Sequence, residues 1–298
     1  MLRWPGRRLL VQRGDTELVA LDLDAASAGG QLAEVRFPAP WPRRFGSVAV
    51  TPEGDAAVFA GAHTVRVVEA TGATRWEMRH VCSAGECRPM HTSFAEYGGD
   101  EDHRYPDSGS AAVSGDGKLV WAHVRGPLSD DKEGADDQEL WLVLDAADGR
   151  VLGRADTMTV ASGSEQMPHP DPAQMGLSIG EGEEGSPVLW GRWDGQRLTV
   201  EHTGIERILL AVSPSGRHLL TVPLRQWSLS LHGRRTARSC GNWTPRALCR
   251  HSRGTPAGTG CTGTTRRPSW TRTTSSPAPP SATPGTARPA TGSSTCAG

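Results

Sequence analysis

The chain has 298 residues, room for one large domain or two ordinary ones, and its average composition is bland: 36% hydrophobic, 22% charged, formal charge −1. That average conceals two unlike pieces. Residues 1–225 hold all 33 acids and 22 of the 32 bases, a charge of −11, whereas residues 226–298 hold ten Arg, no acid and no Lys. An acidic main part speaks against nucleic acid as a partner. No stretch is apolar and long enough to cross a bilayer or to form the centre of a signal peptide, so no membrane association and a cytoplasmic location are expected.

In chain order, the opening residues supply three strands, 8–12, 17–22 and 31–37, without a first strand before them. A second unit follows: strand 47–50, the turn Thr51-Pro52-Glu53-Gly54-Asp55, strand 56–61, strand 65–70, the turn Thr71-Gly72 and strand 73–79. Pro presets φ in such turns and Gly accepts φ > 0, so the punctuation has a mechanism. The same grammar returns at 111–114, Gly115-Asp116-Gly117, 118–124, 139–146, Asp148-Gly149 and 150–156, with 127–138 as a loop insertion. A less regular unit has strands 174–180, 186–193 and 197–202. A further copy begins at 207–213, turns at Pro214-Ser215-Gly216 and continues through 217–223.

Four-stranded antiparallel units recurring every 40–60 residues are the mark of a β-propeller. Sheets buried on both faces also explain apolar runs such as Leu140-Trp141-Leu142-Val143-Leu144 in place of strict alternation. A β-sandwich is the less favoured alternative. The fold class expected is all-β: an incomplete propeller of four-stranded blades over residues 1–224, about four and a half blades, followed by a disordered tail over 225–298.

Two runs carry a family resemblance. Val113-Ser114-Gly115-Asp116-Gly117-Lys118 resembles the first hairpin of WD40-type blades, and residues 140–152 resemble the inner hairpin of quinoprotein-like propellers. Glu69-Ala70-Thr71-Gly72 followed by Trp76 is similar to the latter family's Asp-x-x-x-Gly-x-x-x-Trp signature, one residue short before the Gly. The likeness spans about residues 7–224 and implies architecture rather than activity. Adjacent cysteines, which quinone-binding members carry, are absent, so no quinone is implied.

The tail beyond residue 233 is dominated by Gly, Ser, Thr, Pro, Ala and Arg. It reads as out-of-frame translation of a GC-rich gene more readily than as a basic tail. Shifted by one base, residues 236–249 can read D-G-A-V-L-R-E-L-D-A-A-G-A-V, which matches the in-frame run 148–156. Asn242-Trp243-Thr244 can yield only L-D. A frameshift between about residues 224 and 235 is therefore expected. A propeller closes by pairing its first and last strands, so the missing first strand points to a C-terminal strand as its source. A chain cut open there is expected to aggregate or be proteolysed.

Candidate chemistry centres on His80, Cys82, Cys87 and His91, spaced His-x-Cys-x4-Cys-x3-His. Zinc favours Cys and neutral His, and four ligands in one short loop can close a tetrahedral site. The spacing matches no standard finger. Ordinary loop residues, or a disulfide, are the weightier reading. Residues 96–110 add Tyr97, Asp100, Glu101, Asp102, His103, Tyr105 and Asp107, without the spacing of a calcium loop, and read as a solvated acidic loop. No Gly-x-Ser-x-Gly elbow or phosphate loop is present, so no catalytic and no cofactor-binding residue is assigned. The leading function is a scaffold that binds a protein or small ligand through face loops, chiefly 80–110 and 125–138. A metal-dependent enzyme using residues 80–107 competes with it, and a non-functional gene remnant is the third reading.

Overall fold

Turn, apolar run, turn, apolar run: repeated five times, this grammar builds five antiparallel sheets. The computed structural model describes residues 2–4, 7–24, 33–107, 109–132, 138–183, 185–233 and 239–243. The chain divides into two units, Met1–Ser252 and Arg253–Gly298, and every described residue lies in the first.

Sheet I comprises β1 (Leu2–Trp4), β2 (Arg7–Arg13), β3 (Glu17–Asp22) and β4 (Ala33–Pro38); sheet II comprises β5 (Gly46–Val50), β6 (Ala56–Gly61), β7 (Thr64–Glu69) and β8 (Thr74–Arg79). Sheet III holds β9 (Ser110–Val113), β10 (Leu119–Arg125), β11 (Glu139–Asp145) and β12 (Val151–Asp156). Sheet IV holds β13 (Ser164–Pro168), β14 (Gln174–Ile179), β15 (Pro187–Trp193) and β16 (Leu198–Glu206). Sheet V holds β17 (Ile208–Val212), β18 (His218–Val222), β19 (Leu229–Gly233) and β20 (Ser239–Trp243). Each sheet is a meander of four consecutive strands, and their first strands meet in sequence: β5 on β9, β9 on β13, β13 on β17. This is the β-propeller that the turn grammar predicts.

Three expectations are corrected. Sheet I has its own first strand, because Leu2–Trp4 pairs with Arg7–Arg13 (Leu2↔Leu9, Trp4↔Arg7), so a strand from the far end of the chain is not what supplies it. Sheet IV also has a first strand, Ser164–Pro168, beyond the three strands expected for that unit; its Ser, Glu, Gln and Pro lack an apolar pattern, and backbone pairing with Gln174–Ile179 decides the matter. Two strands, β19 and β20, stand beyond residue 224, where composition draws the boundary. Residues 244–298, with most of the inferred out-of-frame segment, lie outside the described residues.

The core is a series of seams between neighbouring sheets. Between II and III, Val58, Val65 and Val67 meet Val113, Val120, Val124, Leu140, Leu142 and Leu144. Between III and IV, Trp121, Trp141 and Val143 pack on Met175, Leu177, Ile179 and Leu189. Each fully buried side chain of this size contributes roughly 1.5–3 kcal/mol, and the seams hold a dozen or more. Polar groups stitch them: Gln166 donates to the carbonyls of Ser110 (2.9 Å) and Trp121 (3.0 Å) and accepts from the indole of Trp141 (3.3 Å).

Antiparallel alternation sorts the connections. First strands begin on one face, turn at 51–55, 114–118 and 213–217 on the other, and fourth strands return to the first face. All crossovers between sheets, including the long segment from Arg79 to Ser110, therefore lie on one face. Among the described residues no helix is long and apolar enough to cross a membrane.

Candidate metal centre and binding face

The crossover between β8 and β9 runs thirty residues without a strand of its own, a length that usually signals function in a compact fold. Its backbone is anchored where it leaves sheet II: Ser83 N–H donates to Ala62 O (2.8 Å) and Cys82 N–H to Pro89 O (3.1 Å). Gly85 turns the chain at φ +48°, in the left-handed region that suits glycine, and Cys87 N–H then closes on Ala84 O (3.0 Å). Two short 3-10 turns follow, Phe94–Glu96 and Glu101–His103. They fold the segment back on itself.

This reversal gathers four side chains. The Sγ atoms of Cys82 and Cys87 and a ring nitrogen each of His91 and His103 lie within 4.8 Å of one another, with Cys82, His91 and His103 withdrawn from solvent to different degrees and Cys87 half-buried. Cys87 Sγ stands 3.3 Å from His91 Nε2. His80 is not one of the four. It closes sheet II, fully buried, with Nδ1 turned 2.7 Å from Val81 O and its backbone bridged to Leu128. Its place is taken by His103, twelve residues beyond His91, from the segment the sequence reads as a solvated acidic loop.

Each histidine is held by a carboxylate. His91 Nδ1 lies 3.0 Å from Glu96 Oε2, and His103 Nδ1 lies 2.9 Å from Asp100 Oδ2. Hydrogen bonds from the Thr92 hydroxyl and backbone, and then from His91, hold the Glu96 carboxyl down to about 2. The Asp102 backbone N–H, followed by His103, lowers that of Asp100. Burial pushes the Cys82 thiol up to about 12 against the hydrogen bond it receives from the backbone of Ala84.

Tyr97 is the hub around this cluster. It is 3% exposed, stacks on His103 (4.9 Å, 22°), touches His91 (4.9 Å) and Phe94 (5.4 Å), and shares a 2.6 Å hydrogen bond with His63 Nδ1. Arg125, at the end of β10, grips the opposite side: Nη1 donates to the carbonyls of Cys82 (3.0 Å), Gly85 (3.0 Å) and Cys87 (3.3 Å). The sequence signal for these two residues was weak, a Tyr in an acidic loop and an Arg ending an apolar strand.

Beside the cluster, on the same face, a cleft of 240 Å³ opens where the first strands begin, lined by Arg43, Arg44, Ser47, Tyr105 and Ser164. Tyr105 is 70% exposed and sits at φ +60°, with its N–H donating to Arg44 O (2.7 Å). A second cavity of 190 Å³ continues among β5, β9 and β13.

No family model and no curated protein matches the chain. Solved structures similar to it include dihydro-heme d1 dehydrogenase NirN (14% identity, TM-score 0.48, covering 82% of this chain and 45% of that one). Others are BamB from Moraxella catarrhalis (13%, 0.43, 81% and 67%) and Chaetomium thermophilum Sqt1 bound to the N-terminus of ribosomal protein L10 (13%, 0.47, 79% and 58%). The chain thus spans less than half of the NirN chain. Its architecture stands on the five sheets themselves.

Proposed function

We propose that the chain is a propeller scaffold that binds a carboxylate-bearing protein segment or small ligand at the face carrying its crossovers. The observation that carries this reading is Tyr105: a non-glycine residue in the left-handed region, largely exposed, beside Arg43 and Arg44 at the mouth of a cleft. Such a backbone costs about 1–3 kcal/mol, and strain of this kind persists mainly where it positions a working side chain. An exposed tyrosine next to guanidinium groups offers apolar area, a hydroxyl and charge-assisted hydrogen bonds to a carboxylate.

The test is an array of short peptides graded from acidic to basic, with affinities of selected binders measured by fluorescence anisotropy on the full chain. Acidic peptides are expected to bind, and Arg44→Ala and Tyr105→Ala to weaken them about tenfold each. Glu53→Ala, on the opposite face, should leave them unchanged. Equal binding of acidic and basic peptides, or sensitivity to Glu53 rather than Arg44, would overturn the reading.

A further inference from the structure

We infer that Cys82, Cys87, His91 and His103 form a structural zinc site that staples the long crossover. The inference stands whether or not the face binds a partner.

The donor set is two sulfurs and two imidazole nitrogens, the composition of a closed tetrahedral zinc site. Zn–S and Zn–N bonds of about 2.3 and 2.0 Å place ligand atoms roughly 3.3–3.8 Å apart. The four donors already lie within 4.8 Å, so side-chain adjustments of about 1 Å complete the tetrahedron.

The second observation concerns the tautomers. A carboxylate only accepts hydrogen bonds, so Glu96 and Asp100 place the protons of His91 and His103 on Nδ1. Nε2 of each ring then presents a lone pair. His103 Nε2 is buried and makes no hydrogen bond among the described residues, and His91 Nε2 faces Cys87 Sγ. A carboxylate behind each ligating imidazole is the usual outer shell of a zinc site, fixing the ring and raising its basicity. Here both histidines have one. Two thiolates neutralise Zn²⁺, which suits a pocket walled by Tyr97 and Phe94. Four protein ligands leave no open coordination position, so the site's work is structural. It adds a covalent-strength closure to a loop otherwise held by Arg125, Tyr97 and a few backbone hydrogen bonds.

The experiment measures zinc per chain by mass spectrometry on the full-length protein, purified without chelator, and records the visible spectrum after exchange with Co²⁺. One zinc per chain and an intense tetrahedral cobalt spectrum are expected. His103→Gln and Cys87→Ser should each lower metal affinity at least a hundredfold, and Glu96→Gln and Asp100→Asn about tenfold to a hundredfold. His80→Gln should leave zinc content unchanged. Protein recovered only from aggregates is refolded with Co²⁺ present and read the same way, so failure of a variant to fold does not shield the proposal. Absence of zinc and of the cobalt spectrum overturns it, as does an intact mass showing a Cys82–Cys87 disulfide. Metal content that depends on His80 and not on His103 would overturn the assignment of ligands.

Discussion

Trp76, on the outer strand of sheet II, donates its indole N–H to the carbonyl of Ala146 in sheet III, 2.9 Å away. Seventy residues separate them in sequence, and the bond crosses a seam otherwise made of Val, Leu, Ala and Met78. Trp76→Phe keeps an aromatic ring and orphans the carbonyl, an expected loss of about 1–3 kcal/mol. Trp76→Ala also empties the seam, an expected loss of about 3–5 kcal/mol. Urea unfolding read by fluorescence and circular dichroism checks the order of the two. Equal losses would mean that the ring itself adds nothing.

Arg125 is the next point of leverage. Its guanidinium is nearly buried, donates to three carbonyls of the cysteine loop, and lies 3.7 Å from Glu139 and 3.6 Å from Asp107. Arg125→Ala removes one donor from three acceptors at once and is expected to cost about 3–5 kcal/mol. Arg125→Lys should restore only part of that, because an ammonium cannot reproduce the planar fork. Hydrogen exchange provides the check. The amides of Ser83 and Asp107, bonded to Ala62 O and Ser83 O, should lose protection while those of β10 and β11 keep theirs. Uniform loss across sheet III would instead place Arg125 in the general core.

These residues also mark how far the sequence could be read. The strands of sheets II and III were legible to within a residue, since Gly and Pro turns flank apolar runs buried on both faces; 56–61 is expected and Ala56–Gly61 observed. Ser164–Pro168 was not, because a first strand can be held by backbone pairing without an apolar pattern of its own. Cys82, Cys87 and His91 were visible as neighbours in a loop. His103 was not, because two 3-10 turns of three residues each carry no periodicity that would announce a reversal. His80 took its place on proximity in sequence alone, although as the residue after β8 it is committed to the edge of a sheet.

His123 predicts the acid limb of stability. It lies fully buried on β10, 3.5 Å from Glu139 on β11, with Arg125 two residues along its own strand and Ser110 and Trp141 opposite it. Burial pushes its pKa down to about 3. The unfolded chain takes up a proton near pH 6.5, and the folded chain refuses it until about pH 3. Stability is therefore complete above pH 6.5 and falls as pH drops from there toward 3, by on the order of 2 kcal/mol at pH 5 from this group. His123→Gln removes that part. Unfolding free energies at pH 7.5 and pH 5 should differ less in the variant than in the parent, the other buried histidines being common to both. An unchanged difference would mean that His123 takes up its proton at the same pH in the folded and unfolded chains.

Gly191, within β15, stands where two tryptophan rings leave no room for a side chain. A Cβ built there would stand 2.6 Å from Trp121 and 2.9 Å from Trp141, whose rings pack together at 5.4 Å in the seam between sheets III and IV. Neither ring can withdraw easily, since both are fully buried and the Trp141 indole is bonded to Gln166. Glycine within a strand often records such an approach. Gly191→Ala is expected to destabilise the fold by about 1–3 kcal/mol through overpacking, despite alanine's better strand entropy. A second change, Trp121→Phe, makes room and should recover part of the loss in the double variant. Additive losses in that cycle would show that the alanine methyl and the Trp121 ring never meet.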